Sequence, residues 1–495
     1  MADWKNKLYF GDNLGILRQH VQDESADLVY LDPPFNSNST YNVLFKEASG
    51  EGSAAQIHAF DDTWHWGMES EYAYQEVVTR GPKKLADLLQ AMRTVLGQND
   101  MMAYLTMMAE RMIELHRVLK PTGSIYLHCD PTASHYLKLL MDAVFGYRQF
   151  RNEIVWWYRK WSRGTYHFLR NHDVLLFYAK SQANAFNVLR VPLAPSTLKR
   201  FGGKRQDYAD ETRTRKITLD EDSEGGFRPD VWDINLLPAQ SAERLGYPTQ
   251  KPEALLELVV RASSKPGDLV LDPFCGCGTS VVVAERLGRR WIGVDVTHLA
   301  ISLMKNRLHD TFGSKLSEYE VVGVPQDVES AKALAVESEH DGRYQFEYWA
   351  LGLVDARPGH DRRKGADAGV DGYINFFDDE TGKAKTVLVQ IKSGHVRRDQ
   401  IATLKGDMGR EKAELGLFVT LQPPTRPMLQ EAASAGVYQP EHFPDRQYPR
   451  VQIATIEELL EGKMPLLPRL GLADAPTFRR AARRRRTEAE SGRLL

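Results

Sequence analysis

Two stretches hold residue types whose spacing could do chemistry. Asp32-Pro33-Pro34-Phe35 closes the apolar run Leu28-Val-Tyr-Leu31, and Asp272-Pro-Phe274-Cys-Gly276-Cys-Gly278-Thr279-Ser280 closes Leu269-Val-Leu271. An aromatic exocyclic amine is a poor nucleophile because its lone pair is delocalised into the ring. A carboxylate and a backbone carbonyl that both accept from its NH2 group would draw the nitrogen toward a tetrahedral, nucleophilic state. Asp32 and the Pro33 carbonyl can do this, and Phe35 can stack on the base plane, a contact worth about 1–3 kcal/mol. In the second stretch, Gly276 and Gly278 let backbone approach a ligand closely, and Thr279-Ser280 can cap a following helix. Asp295 closes the next apolar run, a position that suits ribose hydroxyls. The loop is not G-x-G-x-x-G and no Lys follows it as in a P-loop, so a nucleoside without a large phosphate load fits better than NAD or ATP.

These residues need strand ends to hold them. Leu28 to Leu31 has the length and composition of a buried parallel strand. Two prolines then stop the sheet, because they donate no backbone N–H. Open α/β sheets bind ligands at the carboxyl ends of their strands, so the two stretches are expected to form one site. Asn13 to His20 reads as a helix capped by Asp12-Asn13. Asn36 to Gly67, with Trp64-His65-Trp66, reads as a long loop beside the site. Leu85 to Leu119 carries helical spacing and stops at Lys120-Pro-Thr-Gly123. Ser124 to His128 reads as a strand, Ser134 to Phe145 as a helix, and Glu153 to Tyr158 with Asp173 to Tyr178 as an edge hairpin. Alternating strands and helices imply a doubly wound parallel sheet. Glu253 to Ser263 reads as a helix, Val281 to Leu287 as another, and Arg290 to Asp295 as a strand.

The pattern resembles the amino-methyltransferases of DNA, whose catalytic motif is D-P-P-Y/F or S-P-P-Y and whose cofactor motif is F-x-G-x-G. Thr249-Gln-Lys251-Pro252, Gly11-Asp12, Arg117 to His128 and Asn152-Glu-Ile-Val-Trp156 also look like that group. The catalytic motif preceding the cofactor motif, with a recognition segment between, resembles the β class, over roughly residues 4–310. The resemblance implies an α/β, Rossmann-like S-adenosylmethionine-dependent methyltransferase sheet in circularly permuted motif order. It implies Asp32, Pro33, Pro34 and Phe35 as catalytic residues. It implies S-adenosylmethionine held by Asp272, Phe274, Gly276, Gly278, Thr279 and Asp295, with Asp12 and Lys251 as further contacts. The product would be an N6-methyladenine or an N4-methylcytosine in double-stranded DNA, and Asp at the head of the motif favours adenine. The substrate base would have to be flipped from the duplex, at a cost of a few kcal/mol.

A second signal lies in Gly365-Ala-Asp-Ala-Gly-Val-Asp371-Gly372 and Val387-Leu-Val-Gln390-Ile-Lys392. Two oxygen ligands near a lysine can hold Mg2+ and activate water for phosphodiester attack. This is similar to the Mrr-like branch of the PD-(D/E)XK restriction nucleases, in which glutamine replaces the usual acid. Asp371, Gln390 and Lys392 carry over, with Glu347 as a fourth member and Asp371 and Gln390 as the Mg2+ ligands. Gln390 is a neutral ligand, which weakens metal binding. Two outcomes therefore stand: DNA cleavage, or a degenerate nuclease fold that serves as a DNA-binding module.

The 495 residues suffice for about three domains on the usual length prior. The expected division is a methyltransferase over 1–312 with an inserted target-recognition segment at about 180–246. A linker at 313–340, a smaller α/β restriction-endonuclease-like domain at 341–466 and a basic tail at 467–495 follow. Apolar content of 42% and charged content of 26% are those of ordinary globular protein. Net charge of −2 gives no global sign of nucleic-acid binding, so the local clusters matter. Arg151, Arg159-Lys160 and Arg163 interleave with Trp156, Trp157, Tyr158 and Trp161, a composition that suits a DNA groove. Arg483 to Arg486 in the tail read as a solvated run. Three cysteines are too few for a disulfide framework, and no apolar run nears the roughly 18 residues of a membrane span. A cytoplasmic enzyme with no membrane partner is expected, in a class whose members often pair as homodimers. His128 and Cys129 read as packing residues.

Overall fold

The computed structural model describes residues 4–34, 40–46, 52–61, 65–160, 168–208, 216–238, 240–245, 247, 249–336, 343–358, 370–376, 385–440 and 445–468. Phe35, Trp64, Trp161, Arg163 and nearly all of the basic tail lie outside them. Nine strands form one sheet in the order Val231–Asp233, Phe150–Trp157, His172–Ala179, Leu119–Cys129, Ala26–Leu31, Leu269–Asp272, Arg290–Asp295, Asn6–Phe10 and Tyr319–Val322. Every pairing is parallel except those of His172–Ala179, which runs against both neighbours.

The continuous apolar runs in the central strands follow from burial on both faces. Val29 and Leu31 enter one core with Ile125, Leu127 and Leu271, under the helices Asn13–His20 and Asp100–Val118. Leu28 and Tyr30 enter the other with Tyr126, Val270 and Trp291, under Glu253–Ser263, Thr279–Arg286 and His298–Phe312. The sheet is thus the middle of three layers. Among the described residues no helix is long and apolar enough to cross a membrane.

Several expectations need correction. The stretch expected as a loop over 36–67 contains an antiparallel pair, Thr40–Lys46 with Gly52–Asp61. The helix expected over 85–119 is two, Lys83–Leu96 and Asp100–Val118. Gly97 takes φ +75° after the first, and the Asn99 side chain accepts from the Met102 N–H to start the second. The insert at 180–246 also contributes to the sheet: its strand Val231–Asp233 forms the edge and buries Trp232. The expected linker at 313–340 contributes Tyr319–Val322 to the opposite edge, pairing with Asn6–Phe10. Its helix Val328–Val336 then buries Ala331 and Leu334 in the next core.

That core belongs to a second sheet, in the order Arg357–Pro358, Gly372–Phe376, Lys385–Lys392, Leu415–Thr420 and Val451–Thr455. Its first two pairings are antiparallel and the rest parallel. Val387, Val389 and Ile391 face the helix Arg343–Leu353, whereas Leu388 faces Arg398–Glu411.

Candidate functional site

The strands carrying the two chemical stretches are direct neighbours. Leu28 pairs with Val270 and Val29 with Leu271, so both chains leave the sheet side by side. A cavity of about 300 Å3 opens there, at the lower end of the range for small-molecule sites. Asp12, Asp32, Tyr247, Lys251, Phe274 and Asp295 are among its lining residues.

Asp32 is the acid at one end. Its Oδ2 accepts a short ion-pair hydrogen bond from Lys251 Nζ, which also donates to the Thr249 carbonyl at 3.3 Å. Its Oδ1 is buried and accepts from no partner among the described residues. A buried acceptor left open is costly unless something else donates to it. Lys251, expected among the cofactor contacts, is thus joined to the acid of the other stretch.

The glycine loop is shaped from within. Asp272 accepts from the Phe274 N–H at 3.0 Å and, through Oδ2, from the Ser280 hydroxyl. Burial pushes its carboxyl up to about 7 despite these hydrogen bonds. Gly278 takes φ +74° and is itself the N-cap of Thr279–Arg286. A Cβ there would sit 2.6 Å from Met304 Cγ, so the position requires glycine on both counts. The expected Thr279-Ser280 cap does not form: Ser280 bonds Asp272, and the Thr279 hydroxyl accepts from Arg307 at 3.0 Å. Arg307 also donates to the Cys277 carbonyl at 3.0 Å and to Glu253 at 3.1 Å, and Arg286 holds the other Glu253 oxygen at 2.7 Å. This buried ionic cluster fastens the loop from behind.

Asp295 accepts from the Gly276 N–H and from both the N–H and hydroxyl of Thr297, each at 2.9 Å, and burial raises its carboxyl above the usual range. Asp12 caps the Asn13–His20 helix through the Gly15 N–H at 3.3 Å and is ion-paired with Arg111. Arg111, almost fully buried, also donates to Asn13 at 2.6 Å, and Asn13 donates to the Pro273 carbonyl at 2.7 Å. Arg111 and Asn13 therefore connect Asp12 to the glycine loop. The sequence marks Asn13 only as a helix cap and does not mark Arg111, which follows Glu110 in the middle of a helix. Tyr247 is a second omission; its buried ring lies against Gly276, and a Cβ on that glycine would come within 3.2 Å of it.

Behind Asp32 lies a polar network where packing residues were expected. The Tyr30 hydroxyl is 2.9 Å from His128 Nδ1, and His128 Nε2 is 3.3 Å from Asp173 Oδ2. Trp156, expected in a DNA groove, is instead core: it is 1% exposed and donates to the Ile234 carbonyl at 2.7 Å. Trp66, expected in the loop beside the site, packs on Tyr74 and beneath the Arg93 guanidinium. His65 of the same trio is exposed and pairs with Asp100 at 3.2 Å.

In the second sheet Asp371, Gln390 and Lys392 converge. Asp371 Oδ2 accepts from the Ile391 N–H at 2.7 Å and lies 3.6 Å from Lys392 Nζ. The buried Gln390 donates from Nε2 to Asp407 at 3.1 Å. Glu347 is half-buried on the helix Arg343–Leu353. Among the described residues no cluster of three or more His, Cys, Asp or Glu side chains has the arrangement of a metal site.

Comparison with known proteins agrees with this division. Residues 26–306 match the N6/N4 methyltransferase family, described as DNA methylase. Residues 345–461 match a family described as NACHT-associated inactive restriction endonuclease 1, and this region is restriction-endonuclease-like. The chain is 27% identical over 359 residues to the type II methyltransferase M.EcaI of Enterobacter cloacae, covering 61% of this chain and 69% of that one. It is 30% identical over 210 residues to the type II methyltransferase M.HpaI of Haemophilus parainfluenzae, covering 42% and 60%. It is 26% identical over 300 residues to the DNA adenine methyltransferase YhdJ of Escherichia coli (strain K12), covering 60% and 81%.

Proposed function

Because the chain belongs to the N6/N4 family of DNA methylases, we propose that it transfers a methyl group from S-adenosylmethionine to the N6 amine of an adenine flipped out of double-stranded DNA. The observation that carries this reading is the open, buried Oδ1 of Asp32 at a cavity shared with the glycine loop. The acid at the head of Asp32-Pro33-Pro34 favours adenine over the N4 amine of cytosine.

The donor set fits S-adenosylmethionine. Asp12, Phe274, Gly276 and Asp295 surround a cavity of nucleoside size, which Tyr247 and Lys251 also line. When bound, the cofactor supplies a methyl group on a positively charged sulfur. The chain's own residues do the rest. Asp32 Oδ1 accepts one N–H of the adenine amine and the Pro33 carbonyl is the second acceptor. Together they localise the lone pair on nitrogen. Lys251 holds Asp32 by the other oxygen, so the open oxygen keeps its aim. Pro33 and Pro34 fix the turn and lower its freedom to swing away. Exclusion of water from this buried end strengthens each of these hydrogen bonds. Phe35 as the stacking ring, and Gly278 and Thr279 as loop-forming cofactor residues, belong to the same proposal. So does a role for the 180–246 segment in target choice. There, exposed Phe227 carries the Arg190 guanidinium 4.4 Å from its ring centre, a pairing suited to stacked bases.

Incubation with duplex DNA and methyl-labelled cofactor, followed by nucleoside analysis, should give N6-methyladenine. Asp32→Ala should lower turnover by a factor of at least about 100. N4-methylcytosine as product would replace the base assignment. Methyl transfer that survives Asp32→Ala would sink the catalytic role.

For the restriction-endonuclease-like region we propose DNA binding without cleavage. Gln390 presents a neutral amide where a metal-binding carboxylate would be needed, and that amide is already engaged with Asp407. Supercoiled DNA with Mg2+ should stay intact. Nicking that disappears in Lys392→Ala would favour the nuclease reading instead.

A further inference from the structure

Methylation of a neutral amine releases a proton. The nitrogen gains a methyl group as the carbon–sulfur bond of the donor breaks, and one N–H bond must then give its hydrogen to a base. On the reading proposed above, the nearest acceptor is Asp32 Oδ1, which is buried. Lys251, on the other oxygen, is an ammonium and cannot accept. A proton left on Asp32 would keep its carboxyl neutral and block the next turnover.

His128 lies directly behind. Its ring is fully buried, with Nδ1 3.7 Å from Asp32 Oδ1 and 2.9 Å from the Tyr30 hydroxyl. Its Nε2 faces Asp173 at 3.3 Å, and the Tyr158 hydroxyl donates to the other Asp173 oxygen at 3.1 Å. Burial works to raise the Asp173 carboxyl, but its contacts with His128, Lys251 and Tyr158 hold it below its usual range. Asp173 is therefore an acceptor only, and the proton of neutral His128 sits on Nε2. Nδ1 is then bare, accepts from Tyr30, and points at Asp32. Tyr30, Asp32, Asp173 and the more distant Lys251 are among the titratable groups around the ring, with the Trp156 ring at its edge. The Asp173 side chain is 14% exposed, which gives the proton a second way out.

We propose that His128 and Asp173 carry the released proton away from Asp32. As the Tyr30 O–H turns away from Nδ1, the proton passes from Asp32 Oδ1 to His128 Nδ1, forming an imidazolium between two carboxylates while Asp32 returns to its charged state; the imidazolium then releases its Nε2 proton by way of Asp173. The 3.7 Å separation exceeds a hydrogen bond of about 2.9 Å, so rotation of the Asp32 carboxyl as the amine enters completes the path. His128 and Asp173 act through Asp32 and are positioning and relay residues.

The test is the single-turnover methylation rate across pH 5.5–9 for the wild type, His128→Gln and Asp173→Asn, with cofactor affinity and thermal stability measured alongside. His128→Gln should slow the step about 10–100-fold and remove the acid limb of the pH–rate profile, with cofactor affinity within about threefold. Asp173→Asn should slow it less and shift that limb to lower pH, because the charge that stabilises imidazolium is gone. A rate within about threefold of wild type, or an unchanged profile in a folded variant, overturns the relay. A wild-type chain that binds DNA and cofactor but yields no methylated base overturns the methyltransferase reading, and the relay with it.

Discussion

Lys251 and Asp32 form an ion pair that divides the acid in two: one oxygen is fixed by the ammonium, the other is buried and open. They come from separate elements, one after the strand Ala26–Leu31 and one before the helix Glu253–Ser263. The pair therefore sets the angle at which the open oxygen meets a substrate amine.

Loss of Lys251 should free that angle and leave a buried charge without its partner. Lys251→Met is expected to lower the single-turnover rate by about tenfold or more, with Lys251→Arg intermediate. Rapid-quench measurement with saturating cofactor checks this. A normal rate with weakened cofactor binding would return Lys251 to a purely cofactor role.

Gly278→Ala should damage the loop through both conformation and space. A left-handed non-glycine residue costs about 1–2 kcal/mol, and Met304 must also move. Cofactor affinity measured by calorimetry should fall by about tenfold or more, while DNA binding persists.

Arg307→Met removes one cation from the buried cluster with Glu253 and Arg286. The expected loss of stability is about 3–5 kcal/mol, read from urea unfolding. The Glu253→Gln/Arg307→Met double variant should recover part of that loss, because it no longer strands a buried carboxylate.

Asp272 makes stability depend on pH in the direction opposite to most acids. Its carboxyl is raised to about 7 in the fold, against about 3.9 in an unfolded chain. Below about pH 4 both states are protonated and the contribution is fully present; as pH rises toward 7 the unfolded state ionises first and the contribution is lost. The stability difference between wild type and Asp272→Asn should therefore fall from pH 4 to 7 and level off above. A difference that rises over that window would refute the burial argument.

Much of the fold could be read in the sequence because its central strands are continuous apolar runs that end in acids and turn residues. Arg290–Asp295 and Glu253–Ser263 occur where patterning places them. Patterning failed where a local break was small, as at Gly97 to Asn99, or where tertiary pairing created a strand, as at Tyr319–Val322. The two acids and the glycines of the site were visible as motifs. Arg111, Tyr247, Arg307 and the His128–Asp173 pair were not, since each gains its role from residues brought near only by folding. Trp156 illustrates the converse error: basic neighbours suggested a groove, yet the ring fills the core.

The strand Tyr319–Val322 ties together the two halves of the molecule. It leads toward the second sheet, yet its hydrogen bonds complete the first. Cutting the chain after Phe312 would strip Asn6–Phe10 of a neighbour and leave open N–H and C=O groups that invite pairing with another copy. The cleaner place to sever the halves is beyond Val322. A fragment ending there keeps its native edge strand, and whatever that fragment loses in function can be ascribed to the missing half.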